Sequence, residues 1–135
     1  MLKSCPKCGR IHDFNYECRN RHYNKGQSIA DKFRNKNSWK KKRDLIKDRD
    51  KHLCRCCLAD IVNASKQFNF SNLEVHHIIP LEEDVSLGLD DDNLITLCSY
   101  HHKLAENGVI SRKILRELTN ENADLLKIKE EYEKK

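Results

Sequence analysis

Cysteine and histidine are concentrated in the middle of this chain, and their spacing constrains the fold more than any other feature. The segment from Cys54 to His102 holds four of the seven cysteines and four of the seven histidines. Two residues separate Cys54 from Cys57, and two separate Cys98 from His101. Paired ligands at this spacing are typical of structural zinc sites in small domains. We therefore expect these four side chains to hold one zinc ion.

A chain of this size needs such an internal staple. It has 135 residues, of which 38% are hydrophobic. This length and composition predict one domain with a thin core. The N-terminal sequence MLKSCPKCGR is polar from the start, and no apolar run approaches transmembrane length. These features predict a cytoplasmic protein without membrane contact. In a reducing compartment, cysteine pairs mated with histidines indicate zinc rather than disulfides.

Charge is distributed unevenly along the chain. Residues 1–55 carry 17 Lys/Arg and 6 Asp/Glu, whereas residues 56–135 carry 9 and 15. This asymmetry predicts a polyanionic partner, with double-stranded DNA the first candidate, although a solvated basic face would look the same. A helix is predicted over residues 38–52, N-capped by Ser38. Its candidate DNA-binding side chains are Lys40, Lys41, Lys42, Arg43, Lys47 and Arg49.

The N-terminal segment, residues 1–22, has the composition of a zinc knuckle. Cys5 and Cys8 have two-residue spacing, Gly9 permits a tight turn, and Cys18 is a natural third ligand. The fourth ligand is His12, with His22 as the alternative; a flexible tail with incidental thiols is the other interpretation. Residues 23–37 are predicted to be a linker with a short helix near 29–33. A domain over 38–120 and a helical tail over 121–135 complete the predicted organisation.

The central segment predicts a β-hairpin followed by a helix. A strand from Leu73 delivers His76 and His77, residues 92–98 form its partner, and residues 100–107 form a helix that Gly108 ends. A further single helix is expected after a cap at Ser111. Because adjacent strand residues face opposite ways, His76 and His77 cannot share one job. One can bind a metal ion together with His102 while the other acts as a base. The acidic loop residues 82–84 and 90–92 are expected to be solvated rather than metal-bound.

Three stretches in this segment resemble the HNH (ββα-metal) nuclease family. VHHIIPL is similar to its first-histidine strand, LDDDNLITLC to its asparagine segment, and CSYHHKLAENG to its final-histidine helix. SWKKKRDLIKDRDKHLCRCC is similar to the lead-in of small phage-type members. The resemblance implies an α+β fold with a ββα-metal (His-Me finger) core, stapled by zinc and flanked by helices.

The resemblance also implies roles. His77 is the general base, His76 and His102 hold a catalytic Mg²⁺ or Mn²⁺, and Asn93 orients the loop and base or reaches the metal. His101 stands where the family usually has cysteine, so His101 and His102 could exchange their metals. The implied activity is DNA cleavage or nicking with low sequence specificity, giving 5′-phosphate and 3′-hydroxyl ends. A partnership with phage terminase or other packaging proteins in a bacterial host is implied in the same way.

One rival from another class fits part of the pattern. A non-catalytic, zinc-stapled nucleic-acid-binding module would explain the knuckle-like N-terminus and the basic helix equally well. It does not explain why His77 and Asn93 stand outside the zinc set at nuclease spacing. A thiol redox protein is disfavoured, since the cysteine pairs lack a thioredoxin-like βαβ context.

Overall fold

An antiparallel hairpin lies at the centre of the fold. The computed structural model describes residues 1–5, 9–17 and 28–134. Strand β3 (Leu73–His77) pairs with β4 (Leu94–Cys98), with Leu73 opposite Cys98 and His77 opposite Leu94. Helix α4 (Ser99–Glu106) begins directly after β4. The strand–strand–helix order and the α+β class therefore confirm the predicted fold class at this level.

Two N-terminal helices cover one face of the hairpin. Helix α1 (Ile29–Arg34) starts with a capping box in which Ser28 and Asp31 bond each other's backbone N–H groups. Helix α2 (Asn37–Arg49) follows after two residues. The apolar cluster on this face consists of Ala30, Phe33, Trp39, Ile46, Leu81 and Leu94. The predicted cap at Ser38 is wrong: the short connection from α1 starts α2 at Asn37, with Lys36 as N-cap and no side-chain cap bond.

The other face of the hairpin carries the larger core. Helices α3 (Arg55–Leu58), α5 (Arg112–Leu118) and α6 (Leu125–Glu133) pack there with α4. The predicted single helix after Ser111 is wrong, although the Ser111 side chain does cap α5 by accepting from Ile114 N–H. The Arg55 guanidinium donates to the Leu118 and Asn120 carbonyls and so satisfies the end of α5. Asp124 then caps a new helix. No helix in the described ranges is long and apolar enough to cross a membrane.

The N-terminal residues form a second, smaller hairpin. Strand β1 (Leu2–Ser4) pairs with β2 (Ile11–Asp13). At the turn, Cys5 N–H donates to the Arg10 carbonyl, Gly9 N–H donates to the Cys5 carbonyl, and Gly9 has φ +71°. Cys5 is buried at this turn, and His12 lies in β2 opposite Lys3. The other predicted ligands Cys8 and Cys18, and the alternative His22, lie outside the described residues.

Candidate active site

Four side chains from three elements converge on one buried point. Cys54 is the N-cap of α3, Cys57 lies in its second half, Cys98 ends β4, and His101 is in the first turn of α4. Their ligand atoms all lie within 4.8 Å of one another. The His101 Nδ1 atom is 3.6, 3.3 and 3.2 Å from the sulfurs of Cys54, Cys57 and Cys98, and the latter two sulfurs are 3.8 Å apart. A tetrahedral zinc ion sets such atoms about 3.5–3.8 Å apart.

The surroundings of this cluster also suit zinc. The His101 Nε2–H donates to the Ile61 carbonyl over 2.7 Å, which leaves Nδ1 with a lone pair directed at the sulfurs. Burial raises the pKa of the Cys54 and Cys57 thiols, so thiolates would need a cation among them. The buried Cys₃His cluster is therefore consistent with a structural zinc site. His102 lies outside this cluster.

An open cleft of about 870 Å³ runs along β3, between the α2 side and the α5 side of the hairpin. His76, His77 and His102 all line it. Carboxylates and cations surround them: Glu74, Glu82 and Glu106, and Arg34, Arg43, Lys47 and Arg112. A cleft lined by three imidazoles, four cationic side chains and three carboxylates combines groups that bind phosphate with groups that bind a divalent cation.

His77 is held rigidly on the α2 side. Its ring stacks on Trp39, with centroids 4.7 Å apart, and meets the edge of Phe33 at 5.7 Å. Its Nε2–H donates to the Gly88 carbonyl over 3.1 Å, which leaves Nδ1 as a proton acceptor. Burial lowers the pKa of His77, and the positive charge of Arg34 acts in the same direction against the Gly88 hydrogen bond. The imidazole is therefore neutral near pH 7.

Asn93 fixes the loop that carries Gly88. The Asn93 side chain is buried, accepts from Ile79 N–H over 2.7 Å, and donates to the carbonyls of Ile79 and Leu87 at 3.1 and 3.2 Å. These three bonds close the loop between β3 and β4 beside the residue that holds His77. In this structure Asn93 acts on the loop.

His76 faces α4, on the opposite side of β3 from His77. Its ring centroid is 5.0 Å from that of His102. Burial, followed by the charges of His102, His77 and Arg112, lowers the pKa of His76 to about 4. A neutral, buried imidazole is a suitable metal ligand.

Two carboxylates flank His102. Glu74 contacts its Nδ1 atom, and Glu106 Oε1 is 3.2 Å from its Nε2 atom. Imidazole nitrogens and carboxylate oxygens together are a donor set that divalent cations accept. Across the described ranges, these groups do not form a second cluster as tight as the Cys₃His one.

The basic residues of α2 divide into three groups. Arg43 and Lys47 line the cleft, whereas Lys40 and Lys41 are exposed and are not among the residues that line it. Lys42 Nζ pairs with Asp91 at 2.7 Å. The Arg49 guanidinium bonds the Asp50 carboxylate and the Asp91 and Leu94 carbonyls, so it holds α2 against β4. The Arg43 Nε atom is buried without a hydrogen-bond partner in the described structure.

Sequence reasoning missed four charged residues of the cleft. Glu74 lies two residues before His76 and thus on the same strand face, and Glu106 lies one helical turn after His102. These spacings could have found both carboxylates. Arg34 and Arg112 had no such signal, because only the packing of α1 and α5 against the hairpin brings them to the cleft.

Comparison with known proteins agrees with this geometry. A family model described as HNH endonuclease matches residues 54–108. This segment belongs to the HNH endonuclease family. The HNH segment spans α3, the central hairpin and α4, and it contains both the Cys₃His cluster and the three cleft histidines. HNH nucleases bind DNA, and the match favours nuclease activity for this chain. Searches of curated proteins and of solved structures returned no match.

Proposed function

We propose that this chain is a metal-dependent DNA endonuclease that hydrolyses phosphodiester bonds, by nicking or double-strand cleavage, with low sequence specificity. The observation that carries the proposal is the arrangement of His77. One ring nitrogen is committed to the Gly88 carbonyl, and the other is a neutral acceptor on a side chain that lines a cleft with four cationic groups. A general base needs a fixed orientation and a neutral form at working pH, and His77 has both.

The neighbouring residues fit a divalent cation such as Mg²⁺ or Mn²⁺. His76 and His102 would hold it, and Glu74 and Glu106 offer carboxylate oxygens beside His102. When bound there, such an ion offsets negative charge on the phosphate as the bond to the leaving oxygen breaks. Since His76 and His77 leave β3 on opposite faces, the ion and the base can act on a phosphate from different directions.

Hydrolysis transfers one proton from water to His77 and exchanges one oxygen bond at phosphorus. His77 Nδ1 takes a proton from a water molecule, whose oxygen forms a bond to phosphorus. The bond from phosphorus to the 3′ oxygen breaks, and that oxygen leaves with a proton from solvent. The products are a 5′-phosphate and a 3′-hydroxyl, and protonated His77 returns its proton to water.

The Cys₃His cluster has a separate, structural role in this proposal. Zinc there would join α3, the end of β4 and the start of α4, which carries His102. Because four protein ligands saturate a tetrahedral zinc ion, no position is left for water or substrate. The ion would position the cleft without taking part in the reaction.

DNA would be bound through its phosphates. Arg34, Arg43 and Lys47 line the cleft on the side of α1 and α2. Contacts of this kind position a duplex but do not read its bases, so we expect salt-sensitive binding with little sequence preference. A role in phage DNA packaging, beside a terminase, rests on the sequence resemblance alone.

Plasmid cleavage with a matched variant tests the proposal. Purified protein should nick or cut plasmid DNA. A brief exposure to EDTA should abolish this activity, and added Mg²⁺ or Mn²⁺ should restore it. His77→Ala should abolish cleavage while circular dichroism and zinc content stay unchanged. If the metal-loaded protein binds DNA and cuts with none of the divalent ions, the chain is a zinc-stapled binding module instead.

A further inference from the structure

Arg112 occupies the α5 side of the cleft, outside the HNH segment. It is the first residue of α5, immediately after the Ser111 cap, and it lines the cleft together with His76 and His102. A phosphate in contact with both histidines would therefore lie in the same cleft as this guanidinium.

The guanidinium is held by a single carboxylate. Arg112 Nη1 and Nη2 donate to the two oxygens of Glu83 at 2.9 and 2.7 Å. Both side chains are about half exposed, at 53% and 52%. An exposed ion pair of this kind adds little to folding stability, whereas its two parallel N–H donors match a phosphate as well as a carboxylate. The contact can therefore be exchanged at small cost.

The position of Arg112 completes the distribution of cations around β3. Arg34, Arg43 and Lys47 come from the helices that cover one face of the central hairpin, and Arg112 comes from a helix on the other face. Between them lie Glu74 and Glu106 around His102. Among the described residues that line the cleft, Arg112 is the cationic side chain contributed by the helices on that face.

We propose that Arg112 is a phosphate-binding residue of the cleft, held by Glu83 in the free protein and transferred to a backbone phosphate beside His76 and His102 when DNA binds. The proposal deepens the nuclease function by naming a substrate contact. Glu83 competes with DNA for the same guanidinium fork, so it limits the affinity of the free protein.

Binding measurements in a background that does not cleave isolate this contact. Fluorescence anisotropy with a labelled DNA duplex is carried out on the His77→Ala protein at several salt concentrations. Arg112→Ala should weaken binding several-fold and reduce the salt slope by about one unit. Lys113→Ala is the matched control, because it removes the same charge from the next residue of α5, which does not line the cleft. Equal losses of DNA affinity for the two variants would show that Arg112 acts only through general electrostatic attraction, and they would overturn the proposal.

Glu83→Gln tests the direction in which the Glu83 carboxylate changes DNA affinity. Removing the competing carboxylate should tighten DNA binding several-fold, and the gain should vanish in the Glu83→Gln/Arg112→Ala double variant. A gain that persists without Arg112, or no gain at all, contradicts the exchange. Thermal melts should show little difference among these variants, since the pair is exposed.

Cleavage by the otherwise unaltered protein separates this proposal from the nuclease function. In that background Arg112→Ala should lower kcat as well as raise KM, and Lys113→Ala should change neither by more than about two-fold. If Arg112→Ala leaves DNA cleavage unchanged, the nuclease function stands and the proposed Arg112 contact is wrong. If the protein never cuts DNA but shows the Arg112 and Glu83 effects on binding, the contact stands and the nuclease function is wrong.

Discussion

His76 and His77 are neighbours in sequence but differ in their contacts. His77 lies against Trp39 and Phe33 and donates to Gly88, whereas His76 faces His102 across the other side of the strand. The pleat of β3 alone accounts for this division. At the scale of single residues, the proposed mechanism assigns His77 as the base and His76 as a metal ligand, and the strand separates the two side chains accordingly.

The lowered pKa of His77 predicts the pH dependence of cleavage. Because burial favours the neutral imidazole, the base stays active below the ordinary histidine pKa of about 6.5. The acid limb of kcat/KM should therefore lie below pH 6.5, with activity falling as His77 becomes protonated. Initial rates of plasmid nicking from pH 4.5 to 8, at saturating metal, measure it. An acid limb at or above pH 6.5 would count against His77 as the base.

Cys98 and Cys56 provide a comparison of ligand and core cysteines. Both are buried, but only Cys98 belongs to the Cys₃His cluster. Cys98→Ser should lose the zinc of that cluster and most of the stability that depends on it. Cys56→Ser should keep the zinc and cost about 1–3 kcal/mol, the usual penalty for a hydroxyl in an apolar site. Zinc content and thermal melts distinguish the two, and equal zinc loss would contradict the ligand assignment.

At the scale of elements, the loop between β3 and β4 is as important as the strands. Asn93 closes it, and Gly88 uses its carbonyl to orient His77. Gly88 is buried and lies against Phe33, a residue of α1. His77 is thus positioned jointly by a strand, a loop and a helix that precedes the HNH segment.

Gly88→Ala should damage this arrangement. An added Cβ would lie 2.7 Å from the Phe33 ring and 2.9 Å from Leu81 Cδ2, so the loop must move away from α1. We expect a loss of about 1–3 kcal/mol, the usual cost of overpacking, together with a fall in kcat as His77 loses its carbonyl partner. Chemical denaturation and plasmid cleavage measure the two effects.

Gly108→Ala serves as the control. Gly108 has φ +75° and no atom within 4 Å of an added Cβ, so the substitution strains the backbone at the end of α4 without crowding. It should cost about 1 kcal/mol and leave the catalytic rate nearly unchanged. A similar loss of kcat in both variants would show that general destabilisation, not the position of His77, accounts for the Gly88 effect.

At the scale of the whole molecule, the described residues form two apolar clusters, one on each face of the central hairpin. The smaller one joins α1 and α2 to the hairpin, and the larger one contains the cysteines of the Cys₃His cluster. The cleft opens between the helices of the two clusters, so its shape depends on both. Metal at the Cys₃His cluster would stabilise only one of these sides directly.

Zinc stoichiometry tests the predicted organisation of the whole chain. Cys5, one of the predicted ligands of the N-terminal site, is buried at the turn of the N-terminal hairpin. Elemental analysis should return about two zinc ions per chain, one for each cysteine-rich segment. Cys5→Ser should reduce the value by about one and leave cleavage chemistry intact. A value of one in the unaltered protein would rule out the N-terminal site.

Much of the central segment could be predicted from residue patterns. Three local signals predicted features that the structure has. They are the strand pattern of Leu73–His77, the cap at Ser111, and the paired spacing of Cys54, Cys57, Cys98 and His101. The predictions of a cap at Ser38 and of a single helix after Ser111 were wrong, because neighbouring elements decide where α2 starts and where α5 and α6 separate. The break depends on Arg55, which is more than sixty residues away from the carbonyls it satisfies.

The sequence by itself determined which residue types could do chemistry and, through their spacing, which strand, hairpin and helix would carry them. Local periodicity is sufficient for that, because strand pleat and helical pitch set which neighbours share a face. Only the tertiary structure decided that His101 rather than His102 joins the cysteines, that Gly88 orients His77, and that Glu74, Glu106, Arg34 and Arg112 reach the cleft. These contacts join residues far apart in the chain, and packing of the helices against the hairpin is what brings them together.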